Sequence, residues 1–310
     1  MKQLVVISGK GGTGKTSITA SFAHLAASVS PVATADCDVE APDLALLLPG
    51  CDIRTEDFWS GRRARIDVDS CTLCELCAEH CRADAIGIGN FALVDRFSCE
   101  GCGVCALVCP AEAISFVDNR AGAWMERRTA YGPLIHAALG IAQDNSGKLV
   151  ARVREEARSV AERDGIDLIL VDGPPGIGCP VHASVTGCDL ALVVTEPTPS
   201  GEHDLERVLE LLDLFGVPAA VLINKHDLAP RITGRIEALA IKVGAKIVGK
   251  LPFTPEIPRA LSRGELPLTV EAVADPLADA WQRILALPSL NTTSKRPEEP
   301  SKSSVVWLSN

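Results

Sequence analysis

A chain of 310 residues with 47% hydrophobic content can hold one large domain plus a small one, and has ample material for a sheet buried on both faces. Its formal net charge of −10 argues against a nucleic-acid surface, which needs clustered Lys and Arg, and suits docking to basic redox partners. No long apolar span occurs and the N-terminus is already a strand, which argues against a signal peptide or membrane insertion and makes the cytoplasm the expected compartment.

Lys2 to Ser8 (KQLVVIS) reads as a short buried strand that runs straight into GKGGTGKT, Gly9 to Thr16, a match to the GxxxxGK[ST] phosphate loop. Thr16 to Ser28 reads as the helix that follows. Strand, glycine loop and helix N-terminus in that order are the context the motif requires. Gly11, Gly12 and Gly14 let backbone N–H groups, with those of Thr13 and Ser17, close on phosphate oxygens. Lys15 is expected to reach the β- and γ-phosphates, and the Thr16 hydroxyl to ligate magnesium.

A second strand is expected over Pro31 to Ala35, followed by DCDVEAPD. Next come eight of the twelve cysteines, in two copies of CxxCxxCxxxC: Cys71, Cys74, Cys77, Cys81 and then Cys99, Cys102, Cys105, Cys109. Zinc sites pair two CxxC knuckles across a longer loop, and a cytosolic chain seldom keeps disulfides. Two four-cysteine runs are instead the ligand set for two [4Fe-4S] clusters, each iron taking one thiolate. Pro110 after the last cysteine sharpens the match, whereas Arg82 stands at the equivalent place in the first run.

Farther on, Lys148 to Arg163, Glu202 to Phe215 and Ala272 to Leu287 read as helices, alternating with strand-like runs near Leu168, Leu192, Val221 and Ile247. With those near Leu4 and Val32, they imply an α/β fold, a doubly wound and mainly parallel sheet. The run Leu168 to Val171 ends in DGPPG, so Asp172 lies at a strand's carboxyl end, where a water-mediated magnesium contact is expected. Gly176 would offer its amide to the γ-phosphate. The cysteine segment sits inside this alternation, which divides the chain into a first nucleotide-binding part (1–60), an inserted small α+β unit (61–119), a second nucleotide-binding part (120–288) and a tail (289–310) rich in Ser, Pro, Lys and Glu that reads as disordered.

On these residues the chain resembles three things. Arg65 to Asp118 resembles the two-cluster bacterial ferredoxins, in which the fourth ligand is exchanged between runs. That resemblance implies Cys71, Cys74, Cys77 and Cys109 on one cluster, and Cys99, Cys102, Cys105 and Cys81 on the other. The loop KGGTGKT resembles the deviant Walker A loop of the MinD, ParA and Mrp class and of the nitrogenase iron protein, which implies that Lys10 reaches a partner's nucleotide in an ATP-dependent homodimer. By the same resemblance Asp36 and Asp38 match the first switch, Asp36 beside the magnesium and Asp38 orienting the attacking water. Asn224 of NKHD and the loop at Leu251 to Phe253, with Pro252, would hold adenine. NKHD also fits the guanine-reading NKxD pattern, so Asp227 keeps GTP open.

Over about nine-tenths of its length the chain resembles MinD-superfamily ATPases with an inserted ferredoxin domain, found mainly in anaerobes; YGPLIHAALG, TEPTPSGEHDL and PEIPRAL extend the likeness. The activity implied is ATP hydrolysis coupled to electron transfer towards a redox partner protein. A cluster or metallocofactor assembly carrier and a MinD-like positioning ATPase are the alternatives. Cys179, seven residues after Asp172, stands where the nitrogenase iron protein places a cluster ligand, and is a candidate for a transient cluster. Cys188 is a weaker candidate for a second such ligand. Cys37 and Cys51 read as structural.

Overall fold

The computed structural model describes residues 1–143 and 146–291. Its strands are β1 (Lys2–Ser8), β2 (Ala33–Asp36), β3 (Gly50–Ile66), β4 (Ile86–Ile88), β5 (Ala92–Val94), β6 (Ile114–Thr129), β7 (Gly132–Leu139), β8 (Leu168–Pro175), β9 (Leu190–Thr195), β10 (Ala219–Ile223) and β11 (Lys246–Lys250). One sheet runs in the order β11-β10-β9-β1-β8-β2-β7-β6-β3, and β4 pairs only with β5. From β11 to β7 every neighbour is parallel. β6 is antiparallel to β7, and β3 antiparallel to β6.

The parallel strands are apolar on both faces because helices cover both. Along β1 the alternation is strict. Val5 and Ile7 pack into a layer with Val150, Val153 and Val208, whereas Leu4 and Val6 pack into another with Phe22, Leu277 and Trp281. Helices Ser146–Arg163 and Pro199–Leu214 supply the first layer, and Lys15–Ala27 and Glu271–Leu285 the second. Phe22 and Trp281 stack with ring centroids 5.1 Å apart, tying the helix after the glycine loop to the helix that closes the sheet. The strand order switches sides at β1, with β8 and β2 on one side and β9 on the other, and the carboxyl ends of the parallel β1, β2 and β8 open onto one crevice, the place where such folds bind ligands.

Two features differ from the sequence expectation. The boundaries at 60/61 and 119/120 fall inside strands: β3 and β6 form one antiparallel ribbon from Gly50 opposite Thr129 to Ile66 opposite Ile114, with register shifts between Phe58 and Arg62. The cysteine segment is therefore carried on the end of a ribbon that belongs to the main sheet. Within YGPLIHAALG, Gly132–Leu139 is the strand β7 that joins this ribbon to β2. The expected tail begins later than residue 289, because Leu290 is buried and its amide donates to the Leu287 carbonyl. Residues 292–310 of that tail lie outside the described residues. Among the described residues no helix is long and apolar enough to cross a membrane.

Candidate functional site

β1 ends at Ser8 and the helix Lys15–Ala27 starts six residues after Gly9, leaving Gly9 to Gly14 as the loop. Gly14 precedes the helix at φ 89°, and a Cβ there would meet Asn224 Nδ2 at 2.8 Å, so both backbone conformation and space require glycine. Gly11 to Gly14, with Thr16, Ser17, Asp38, Pro174 and Pro175, line a cavity of about 520 Å³. Inside the loop Thr13 Oγ1 is buried without a hydrogen-bond partner, an orphan that suits an oxygen-rich ligand.

Asp172 organises the polar centre. Its Oδ1 accepts from Lys15 Nζ at 2.9 Å and Thr19 Oγ1 at 2.9 Å, and its Oδ2 from Thr16 Oγ1 at 2.7 Å. Burial works against charge on Lys15, but Asp172 outweighs it, with help from Asp38 and Asp36, and holds the ammonium above its ordinary range. Asp36 lies directly beside Asp172 in the β2–β8 pairing and accepts the amides of Asp38 (3.2 Å) and Leu44 (3.0 Å). Burial, then the charge of Asp172, pushes the Asp36 carboxyl well above the usual carboxylate range. A divalent cation would relieve that repulsion. Two carboxylates and the Thr16 hydroxyl are hard oxygen donors that fit magnesium, with phosphate and water completing its shell. Asp38 lines the same cavity half-buried; burial raises its carboxyl, against the pull of Lys15.

Gly176 departs from expectation. Its amide donates to the Ser8 carbonyl at 2.9 Å, with φ at 90°, and so faces the end of β1 instead of the cavity. Lys10 is also engaged within its own chain. Its Nζ meets Glu196 Oε1 at 2.6 Å, Thr198 Oγ1 at 3.0 Å and Ser200 Oγ at 3.2 Å. Glu196 bonds Lys225 Nζ too, at 2.8 Å, and thus joins the glycine loop to the NKHD turn. Neither Glu196 nor Thr19 stood out in the sequence, because neither belongs to a spaced motif.

Gly12, Gly14 and Ser17, which also line the first cavity, line a second of about 190 Å³ that is mostly apolar, with Asn224, Pro252 and Phe253 in its wall. Asn224 Nδ2 donates to the Thr13 carbonyl at 2.8 Å. Asp227, on which a guanine-reading role turns, accepts the Phe253 amide at 2.7 Å and ties the turn to the loop over the slot. That engagement and the apolar wall suit adenine.

The eight cysteines of the two runs gather at the ribbon's end. Cys71, Cys74, Cys77 and Cys109 line one cavity, and Cys81, Cys99, Cys102 and Cys105 another, of about 20 Å³ each. The two halves repeat each other at an offset of 28 residues, as Cys99 stands to Cys71. Left-handed backbone recurs at Leu73 and Gly101, at Glu75 and Gly103, and at Asp84 and Glu112. Asp67 binds Ser70 and the Asp69 amide just as Asp95 binds Ser98 and the Phe97 amide. Leu73 and Glu75 hold a conformation that costs a non-glycine residue about 1 kcal/mol or more, the kind of strain that collects at ligand clamps. The Ala85 amide donates to Cys81 Sγ at 3.3 Å, and burial pushes the Cys77 and Cys105 thiols up against backbone amides directed at their sulfurs. Among the described residues no three His, Cys, Asp or Glu converge on a single-ion site. Four thiols lining each cavity are the soft donor set that a four-iron cluster takes, one to each iron.

The remaining cysteines divide by burial. Cys179 is exposed at the start of helix Cys179–Val185. Cys188 is buried, its thiol pushed up to about 11 chiefly by burial despite Arg154 Nη2 at 3.3 Å, which makes it a poor thiolate ligand. Cys37 is fully buried, whereas Cys51 lies exposed on β3, against the structural reading of it.

Comparison with known proteins accords with this geometry. Residues 4–268 match the model of the CobQ/CobB/MinD/ParA nucleotide-binding domain. An uncharacterised protein of Methanocaldococcus jannaschii is 34% identical over 84% of this chain and 87% of its own. An iron-sulfur cluster carrier protein of Rickettsia conorii is 28% identical over 40% of this chain and 39% of its own. Among solved structures, the Aquifex aeolicus MinC:MinD cell division complex aligns with a TM-score of 0.56 at 20% identity, covering 93% of this chain and 97% of that one.

Proposed function

The chain belongs to the CobQ/CobB/MinD/ParA nucleotide-binding family and has its P-loop ATPase fold, and from that premise we propose that it couples ATP-dependent dimer closure to electron transfer through two [4Fe-4S] clusters. Cys71, Cys74, Cys77 and Cys109 would hold one cluster in the inserted ferredoxin unit, and Cys81, Cys99, Cys102 and Cys105 the other. Bound there, the clusters would supply single-electron chemistry.

Lys15, the glycine loop and Ser17 bind the phosphates. Thr16, Asp36 and Asp172 hold magnesium, Asp38 orients water, and Asn224 and Pro252 flank adenine. Lys10 leaves Glu196 to reach the partner's nucleotide. One observation carries the coupling. The segment after Asp38 is bonded to β7 and β7 to the ribbon that bears the cysteines, through Leu139 N to Val39 O (3.0 Å) and Gly140 N to Ala121 O (2.8 Å). A switch that moves with the γ-phosphate pulls on that ladder.

The test is potentiometric titration of anaerobically prepared protein with Mg-ADP and with a non-hydrolysable ATP analogue. Potentials that differ between the two support the coupling; identical potentials remove it. An assembly carrier is favoured by the partial likeness to cluster carriers and by exposed Cys179. Transfer of iron to an apo-ferredoxin that is lost in Cys179→Ser would establish that reading instead.

A further inference from the structure

On the ribbon's end, alongside the cysteine cavities, lies an open groove of about 560 Å³ between β5 and the outer halves of β3 and β6. Its charge runs opposite to that of the whole molecule. Arg63, Arg65, Arg96 and Arg120 line it, against the single carboxylate of Asp118. Arg120 is paired with Asp57 at 2.6 Å. Arg63, Arg65 and Arg96 make no ion pair among the described residues, and Arg96 only stacks over Phe97, 4.6 Å from the ring centroid. Their neighbours Asp67 and Asp95 are turned to Ser70 and Ser98 and to backbone amides. The field of the guanidiniums is therefore left open in a chain of net charge −10.

We propose that this groove is the docking surface for an acidic one-electron carrier protein. Three observations converge. Arg63 and Arg65 alternate along β3 with Ala64 and Ile66, and all four line the groove. Ala64 lines both the groove and the Cys81 cavity, and Ile66 and Ala92 line both the groove and the Cys71 cavity. A partner seated there is one side-chain layer from either thiolate set. Finally, Trp59 and Leu93 are each 57% exposed beside the arginines, the pairing of aromatic and Arg that protein interfaces favour. A small anion would meet exposed Arg65, Arg96 and Arg120 and half-buried Arg63, with no fully buried donor to orient it, so a protein surface is the better fit.

The inference rests on the reading that the cavities hold clusters. On that reading one electron leaves the reduced iron-sulfur centre of the carrier and one oxidised cluster gains it, with no bond or proton moved.

The test is titration of the full chain, prepared anaerobically, with an oxidised acidic plant-type ferredoxin at low ionic strength. Basic cytochrome c serves as control, and iron content is measured on the same samples. Binding of the ferredoxin should weaken with salt, and by about tenfold or more in Arg63→Glu/Arg65→Glu/Arg96→Glu. The milder Arg63→Gln/Arg65→Gln/Arg96→Gln should fall between, with iron content and ATP hydrolysis unchanged in both. Equal binding by wild type and variants, or preference for cytochrome c, would overturn the docking surface while leaving the clusters standing. Selective ferredoxin binding by a protein that incorporates no iron would overturn the cluster reading, and the electron port with it.

Discussion

The amide of Leu139 donates to the carbonyl of Val39 at 3.0 Å, bonding the end of β7 to the segment that leaves the Asp36 strand. The next amide, Gly140, donates to Ala121 of β6 at 2.8 Å. Two consecutive hydrogen bonds thus link the segment after Asp38 to the ribbon whose end carries the two cysteine runs.

Lys15→Met should abolish ATP binding and turnover, measured by nucleotide titration and phosphate release. It should also destabilise the nucleotide-free protein by roughly 3–5 kcal/mol, because Asp172 would be left buried without its cation. Denaturant unfolding without nucleotide reads this second effect. Unchanged stability would mean that Asp172 does not depend on Lys15.

Lys10→Ala should leave the monomer folded and block dimerisation on adding Mg-ATP, read by sedimentation. Glu196→Gln releases both Lys10 and Lys225 from a shared carboxylate and should favour the ATP-bound dimer. A Lys10→Ala chain that dimerises normally would contradict the role given to that lysine.

Asp52 ties three strands together, accepting from Arg127 Nε on β6 at 2.7 Å and lying 3.0 Å from His136 Nε2 on β7. The Arg127 hydrogen bond chiefly, opposed by slight burial and assisted by His136, brings the Asp52 carboxyl down to about 2. A depressed folded value means stabilisation that is complete above about pH 4 and lost as pH falls towards 2. Since Asp52 is about a third exposed, screening keeps the contribution under about 1 kcal/mol. Asp52→Asn should therefore lower stability slightly at pH 7 and flatten the acid limb between pH 4 and 2. An acid limb identical to wild type would remove Asp52 from the account.

The parallel sheet and phosphate loop were legible because their signals are local. A buried run such as Lys2–Ser8 and the spacing of Gly14, Lys15 and Thr16 need no distant partner. The ribbon was not. β3 is largely exposed and charged (GCDIRTEDFWSGRRARI), and it becomes a strand only through pairing with β6 some 60 residues on, a long-range contact that periodicity does not carry. The hydrogen bond of Gly176 is hidden from the sequence for a related reason. A glycine after an acidic strand end suits phosphate, but its amide meets the neighbouring Ser8 carbonyl, a partner visible only once β1 and β8 lie side by side. Lys10 carried its family likeness openly, whereas the Glu196 that holds it is 186 positions away.

The mixed lining of the two cysteine cavities has a direct consequence for mutants. Cys71→Ser and Cys109→Ser should lose the same cluster and leave the same residual signal, and Cys99→Ser and Cys81→Ser should share the complementary one. Pairing by run instead, with Cys81→Ser grouping with Cys71→Ser, would refute the exchange. Iron analysis with visible absorbance separates the two patterns. Cys179→Ser should leave iron content at the wild-type level.

Electron paramagnetic resonance of anaerobically purified, dithionite-reduced protein, recorded with and without Mg-ATP, tests the central claim most directly. Two interacting reduced clusters whose spectrum shifts with nucleotide are expected. A two-cluster spectrum indifferent to Mg-ATP would contradict the coupling, and the absence of any cluster signal would contradict the iron-sulfur reading itself.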